Sequence, residues 1–156
     1  MIRGPVPLYR SSGQRGYSSL LSADPRRVRA RKLEREIQVE FTSAACEVPT
    51  PEGVVHARPG DAIVTGIAGE RWRVSREHFA AKYRPVPPTV AGAAGRYRSL
   101  PNTILALPME TEFQVLLADG VSRLHGQPGD WLVDYGDGTL GVVGAAAFSN
   151  TYEIMG

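Results

Sequence analysis

The sequence holds one cysteine, Cys46, among 156 residues. A single thiol excludes an intrachain disulfide framework, and with three histidines beside it no metal site is expected. Lysine is nearly missing as well, since Lys32 and Lys82 stand beside sixteen arginines. Arginine suits phosphate and carboxylate recognition, but a compositional bias of the source genome produces the same ratio, and that simpler cause carries more weight. No run approaches the roughly eighteen apolar residues of a membrane-spanning helix, and no apolar segment follows the first arginines as a secretory signal requires. The chain is therefore expected to be cytoplasmic, to engage no membrane and to need no cofactor. A phosphate-binding loop is missing too: Gly136-Asp137-Gly138 lacks a following Gly-Lys-Ser/Thr and reads as a hairpin turn.

The 42% of hydrophobic residues suffice for one compact domain or two very small ones. Charge is graded along the chain. Residues 1–36 hold nine Arg/Lys and three Asp/Glu, residues 37–98 eight and six, and residues 99–156 one and seven, giving +6, +2 and −6. A basic start and an acidic end suggest attraction within a homo-oligomer or toward an anionic partner.

Self-comparison gives the most informative pattern. At a gapless offset of 69, His56 matches His125 and Pro59-Gly60-Asp61 matches Pro128-Gly129-Asp130. Val64/Val133, Gly69/Gly138, Val74/Val143, Phe79/Phe148 and Tyr83/Tyr152 keep the register, nine identities in 28 residues where average composition gives roughly two. This reads as a duplication, with a first repeat over 37–86, a linker over 87–101 and a second repeat over 102–156. Ile37, Val39 and Phe41 alternate with polar residues, as do Phe113, Val115 and Leu117, which predicts strands with one buried face. Asp119-Gly120 and Pro51-Glu52-Gly53 are hairpin turns at matching places. Further hairpins follow at 62–74 and 131–143. A short helix should close each repeat, because Phe79/Tyr83 and Phe148/Tyr152 are spaced four apart and Ser75 is a good N-cap.

Residues 1–36 read as a basic arm. Residues 1–23 carry no acid and are expected to be mobile; their Arg- and Ser-rich composition also resembles a weak organellar presequence. Asp24-Pro25 then opens a predicted helix to about Glu36, with Arg27, Arg31 and Arg35 on one face. The arm is expected to add little to any core, so its removal should leave the fold intact.

Four residues could carry chemistry: His56, Asp61, His125 and Asp130. Proline and glycine in the two tripeptides set a type II turn, and the aspartate then accepts backbone amides, which is a sufficient structural reason for the motif. A carboxylate near a histidine is also an acid/base pair in outline, although no third orienting group accompanies it. Cys46, beside Ala44 and Ala45, reads as a small buried hydrophobe. Trp72 and Trp131, on hairpin arms, either fill small cores or offer a contact surface, and the core has the stronger case.

The segment Pro59-Gly60-Asp61-Ala62-Ile63-Val64-Thr65-Gly66, with Gly69-Glu70-Arg71-Trp72, Phe79 and Tyr83-Arg84-Pro85-Val86, resembles a family of small bacterial and phage-encoded proteins named after a Pro-Gly-Asp-Tyr-Gly signature. Ala62 departs from that signature, and Trp131 replaces it in the second copy. The resemblance implies a β-rich unit in a bacterial or prophage setting and transfers no catalytic residue.

The expected fold is thus α+β and β-dominated: two tandem antiparallel-sheet repeats, each closed by a short helix, after a basic helical arm. The expected function is a non-catalytic binding module. Arg26, Arg27, Arg29, Arg31 and Lys32, with Trp72 and Trp131, would engage a nucleic acid or an acidic protein surface. The competing expectation is a small enzyme or nucleotide-binding protein with a site between the repeats, built on His56, Asp61, His125 and Asp130.

Overall fold

A computed structural model describes residues 6–11, 20–66 and 69–155. In chain order it contains β1 (Leu8–Arg10), a 3-10 turn (Leu20–Ala23), β2 (Val28–Lys32), β3 (Glu36–Phe41), β4 (Cys46–Thr50), β5 (Gly53–Ala57), β6 (Ala62–Thr65) and β7 (Arg71–Val74). Helix α1 (Arg76–Lys82), β8 (Tyr83–Pro85), β9 (Gly95–Ser99) and β10 (Thr103–Pro108) follow. The chain continues with β11 (Phe113–Leu116), β12 (Arg123–Gly126), β13 (Trp131–Asp134), β14 (Leu140–Val143), α2 (Ala145–Thr151) and β15 (Tyr152–Ile154). Strands dominate, and both helices are short. The chain divides into two compact units: one joins residues up to Arg31 with Thr103 onward, and the other runs from Lys32 to Asn102.

The continuous unit, Lys32–Asn102, holds an antiparallel sheet in the order β7-β6-β3-β9-β8 and the separate hairpin β4-β5. One sheet face buries Ile37, Val39, Val64, Val74 and Tyr97 against Phe79 of α1 and Tyr83. Tyr97 is 1% exposed and anchors this core. Its hydroxyl donates to the Ala93 carbonyl at 2.7 Å and accepts from the Gly92 amide at 3.2 Å, so a phenol can be buried there without losing its partners. Phe79 meets Tyr83 in a stack at 5.1 Å and Tyr97 and Phe41 edge-on at 5.0 and 5.2 Å.

The discontinuous unit holds the sheet β14-β13-β10-β2-β15 and a three-stranded sheet β1-β11-β12, in which β1 runs parallel to β11. One face of the larger sheet packs Ala30, Ile104, Ala106 and Val133 against Phe148 and Tyr152. The other face buries Leu107, Leu132, Leu140 and Val142 against Phe113, Val115, Met109 and Leu21. The expected strands over Ile37–Phe41 and from Phe113, the hairpin turns at Pro51-Glu52 and Asp119-Gly120, and helices carrying Phe79 and Phe148 are all found in place.

Several expectations need correction. Residues 24–36 do not form a helix. The Asp24 carboxylate accepts the Arg26 amide at 2.8 Å and its carbonyl accepts the Arg27 amide at 3.2 Å, so the Asp-Pro signal makes a turn and the chain then enters β2. There the alternation Arg29 exposed, Ala30 buried, Arg31 exposed has the period of a strand, and pairing with β10 overrides the local helix signal. Nor is the arm external to the core: Leu21 is 1% exposed and Ala30 0%. Of the segment read as mobile, residues 1–5 and 12–19 lie outside the described residues, while β1 pairs with β11. The 87–101 stretch contains β9, which inserts between β3 and β8 because Tyr97 fills the core.

Cys46 is exposed, not buried. Its strand pair β4-β5 buries three small side chains, Val48, Val55 and Ala57, two of them in a cluster with Ile63. The matching first pair of the other hairpin, Phe113↔Gly126, lies in a sheet that β1 extends and Leu21 covers.

Because β2 is an interior strand, deleting residues 1–35 should unfold the sheet it joins. Loss of dispersed amide resonances from residues 103–155 is the expected result; a spectrum retaining them would show that β2 is dispensable.

Candidate functional site

The two Pro-Gly-Asp segments form the same turn. The Asp61 amide donates to the Arg58 carbonyl and the Asp130 amide to the Gln127 carbonyl, each at 3.0 Å. The third turn residue has φ +90° at Gly60 and +95° at Gly129, the left-handed region that glycine enters without strain. Each turn is pinned to the end of a neighbouring strand. Gly60 donates to the Thr42 carbonyl at 2.7 Å and Gly129 to the Met109 carbonyl at 2.8 Å.

The two aspartates then differ. Asp61 is 1% exposed. Its Oδ2 accepts the Arg58 amide at 2.9 Å and the Arg73 guanidinium Nε at 2.8 Å, and its Oδ1 accepts the Arg76 amide at 3.1 Å. Arg76 opens α1, so this carboxylate takes the role the Ser75 hydroxyl was expected to play. The hydroxyl lies 2.7 Å from His78 Nδ1 and makes no cap. Burial pushes the Asp61 carboxyl up, but the Arg58 and Arg76 amides and the Arg73 guanidinium outweigh it and hold it below the ordinary carboxylate range. Asp130 is half-exposed and accepts the Gln127 amide at 2.9 Å. Shifting by the offset of 69 puts Val142 where Arg73 stands, so the ion pair has no counterpart there.

The histidines lie on exposed strand faces. His56 is opposite Glu47 in the β4-β5 register and His125 opposite Gln114 in β11-β12. Trp72 packs, half-buried, against the core that holds Phe79, and Trp131 stacks on Phe148 at 4.1 Å with the planes 9° apart. Both rings thus have apolar contacts within their own units. Among the described residues no group of three His, Cys, Asp or Glu side chains is placed to hold a metal ion, and no helix is long and apolar enough to cross a membrane.

The basic residues divide. Arg26 closes on Asp24 at 3.1 Å, and Arg27 donates to the Asp24 carbonyl at 3.0 Å. The Lys32 ammonium lies 2.9 Å from the Tyr83 hydroxyl and 4.6 Å from that ring's centroid. Arg29 and Arg31 stand on the exposed face of β2, and Arg31 reaches Glu153 at 3.3 Å. Sequence reasoning missed a matching pair, Arg96 and Arg98 on the exposed face of β9. They meet Glu36 at 3.4 Å each, and Arg98 meets Glu34 at 3.8 Å. A signal was available: Arg29-Ala30-Arg31-Lys32-Leu33 and Arg96-Tyr97-Arg98-Ser99-Leu100 share Arg-x-Arg-x-Leu at an offset of 67. A gapless comparison at 69 hides it. A shallow groove of about 220 Å³ beside this second pair is lined by Glu36, Ile37, Gln38, Thr65, Gly66 and Arg96.

The family model described as PGDYG protein matches residues 53–153, from β5 through most of β15. The chain belongs to the PGDYG protein family. Within this PGDYG protein the match takes in both Pro-Gly-Asp turns and both helices. No curated protein and no solved structure matches the chain.

The contrast between the two aspartates is testable. A carboxyl whose pKa folding depresses adds stability above its unfolded value near 3.9, and that stability is lost as pH falls through the folded value. Asp61→Asn should therefore cost about 2–4 kcal/mol at pH 7, with wild type and variant converging as pH falls through the depressed folded value. Asp130→Asn should cost under about 1 kcal/mol. Urea melts across pH check both values.

Proposed function

We propose that this PGDYG protein is a duplicated, non-catalytic binding module of bacterial or prophage origin, and that it engages nucleic-acid phosphates through Arg29 and Arg31 on one sheet and Arg96 and Arg98 on the other. The observation that carries this reading is the recurrence of the arginine pairs at one register position. Arg31 lies opposite Thr103, the residue after the Leu100-Pro101-Asn102 connection, and Arg98 lies opposite Glu36, the residue after Leu33-Glu34-Arg35. Each copy then opens with an Arg-x-Arg-x-Leu strand, one strand earlier than the repeat boundaries at 37 and 102.

Residues i and i+2 of a strand project from one face, so each pair presents two guanidinium groups side by side. The carboxylates near them do not remove them from use. Exposed ion pairs add roughly 0–1 kcal/mol, which phosphate contact with counterion release readily exceeds. Catalysis is disfavoured by the state of Asp61: both of its oxygens are held by hydrogen bonds, the Arg73 ion pair tying the turn to β7 and the Arg76 amide tying it to the start of α1.

The test is a titration of labelled duplex and single-stranded DNA and RNA at two salt concentrations. It compares wild type with a variant carrying R29Q, R31Q, R96Q and R98Q. Each duplex phosphate contacted contributes roughly −0.9 to the slope of log affinity against log salt, so the slope should become shallower by about three to four. Equal slopes for both proteins overturn the reading. Failure of wild type to bind at about 50 mM salt also overturns it and leaves an acidic protein surface as the anionic partner.

A further inference from the structure

We propose that each copy in this chain donates its opening strand to the other copy's sheet, so that the partner a single copy fits is the opening strand of a second copy. The proposal rests on the duplication read above, and independently of the arginines' role it predicts which strands are neighbours.

Strand registers carry the argument. In the continuous unit β3 pairs with β9 as Glu36↔Arg98 and Ile37↔Tyr97, and with β6 as Gln38↔Thr65 and Phe41↔Ala62. In the discontinuous unit β10 pairs with β2 as Thr103↔Arg31 and Ile104↔Ala30, and with β13 as Leu105↔Asp134 and Pro108↔Trp131. Adding 67 to the β3 positions gives the β10 positions, and adding 69 to β6 gives β13. Subtracting 67 from the β9 positions gives those of β2.

The change from 67 to 69 falls in one turn. Thr50 and Gly53 close the β4-β5 hairpin around two residues, while Leu117, donating to the Ser122 carbonyl at 2.9 Å, closes β11-β12 around four. Sheet orders β7-β6-β3-β9-β8 and β14-β13-β10-β2-β15 are then the same order, position by position. By sequence, however, β2 precedes β3 and β9 precedes β10. Each opening strand thus occupies the slot beside the other copy's second strand.

The connectors make this crossing short. Leu33–Arg35 joins β2 to β3 and Leu100–Asn102 joins β9 to β10, three residues each. Ser99, 1% exposed, ties them. Its amide donates to the Arg35 carbonyl at 2.9 Å, its hydroxyl accepts the Arg35 amide at 2.9 Å and donates to the Leu33 carbonyl at 3.0 Å. The Lys32 amide donates to the Asn102 carbonyl at 2.9 Å. A connector that doubled back into a β2-β3 hairpin would break these bonds. Exchange of an identical element between copies normally builds dimers; here one chain supplies both copies, and the linkage raises the effective concentration of each strand.

The experiment uses the full chain with Cys46→Ser and two introduced cysteines. Directly opposed residues of antiparallel strands have Cα atoms about 4.5–5.5 Å apart, within disulfide range. Exchange predicts that R31C with T103C, and E36C with R98C, oxidise under mild diamide to disulfides within one chain, leaving no titratable thiol. Under exchange, R31C with E36C stays reduced. Four exposed positions are involved, so the variants should keep the wild-type circular dichroism spectrum. Ready oxidation of R31C with E36C, with R31C and T103C left reduced, overturns the proposal. Disulfide-linked dimers of R31C with T103C also overturn it, by placing the exchange between chains. Neither outcome depends on nucleic-acid affinity, so failure here and failure of the binding reading are separable.

Discussion

An interior strand must find hydrogen-bond partners along both edges and bury at least one face, and β2 and β9 meet this demand for the two larger sheets. β2 lies between β10 and β15, β9 between β3 and β8. Remove either and two strands lose a partner each, leaving backbone N–H and C=O groups unpaired beside an opened core. Both segments were hard to see as strands because their outward positions are arginines and their inward positions are not uniformly apolar: Val28 and Ala30 stand beside Lys32 in β2, and Tyr97 beside Ser99 in β9. A five-residue strand with so few apolar inward side chains gives almost no alternation to read. Its identity is decided by the slot it enters.

That slot also explains how the two cores reach similar packing with different residues. Around Phe79, the continuous unit supplies Tyr97 from β9 and Phe41 from β3, opposite the small Ala62. Around Phe148, the other unit has the small Ala30 in β2, and Trp131, opposite the exposed Pro108 of β10, stacks on the phenylalanine. Volume lost on two strands returns on a third, as dense packing requires. The residue after each Pro-Gly-Asp is therefore coupled to its cross-strand partner, Ala62 to Phe41 and Trp131 to Pro108. The two pairs differ in which member is large. The coupling shows why Trp131 need not be a contact residue to be large.

Legibility in the sequence followed the same physics. Ile37-Val39 and Phe113-Val115 alternate cleanly because their strands have one covered face, and positive-φ glycines at 60, 120 and 129 mark turns that few other residues could make. Asp24-Pro25 misled, since the same cap chemistry that starts a helix also closes a turn. Cys46 misled because inward direction does not guarantee cover. Among candidate site residues, the turn role of Asp61 was readable, but its partner Arg73 lies twelve residues away on another strand, a separation no local motif encodes. Arg96 and Arg98 were hidden by two extra residues in one hairpin turn, which change the offset of the self-match from 67 before that turn to 69 after it.

Asp61 and Asp130 separate what the motif needs from what only one of its two occurrences carries. Both turns keep proline, a positive-φ glycine, the amide bond closing the turn and the link to the preceding strand end, because backbone geometry demands them. Only Asp61 is also buried against a guanidinium and the first amide of a helix. A buried carboxylate without such partners would be costly, and Asp130, whose unit carries Val142 at the position corresponding to Arg73, stays half in solvent. Arginine at position 73 therefore permits the burial of Asp61, and burial in turn fixes the start of α1, which carries Phe79 into the core. The motif's chemistry in this protein is thus structural from the turn outward.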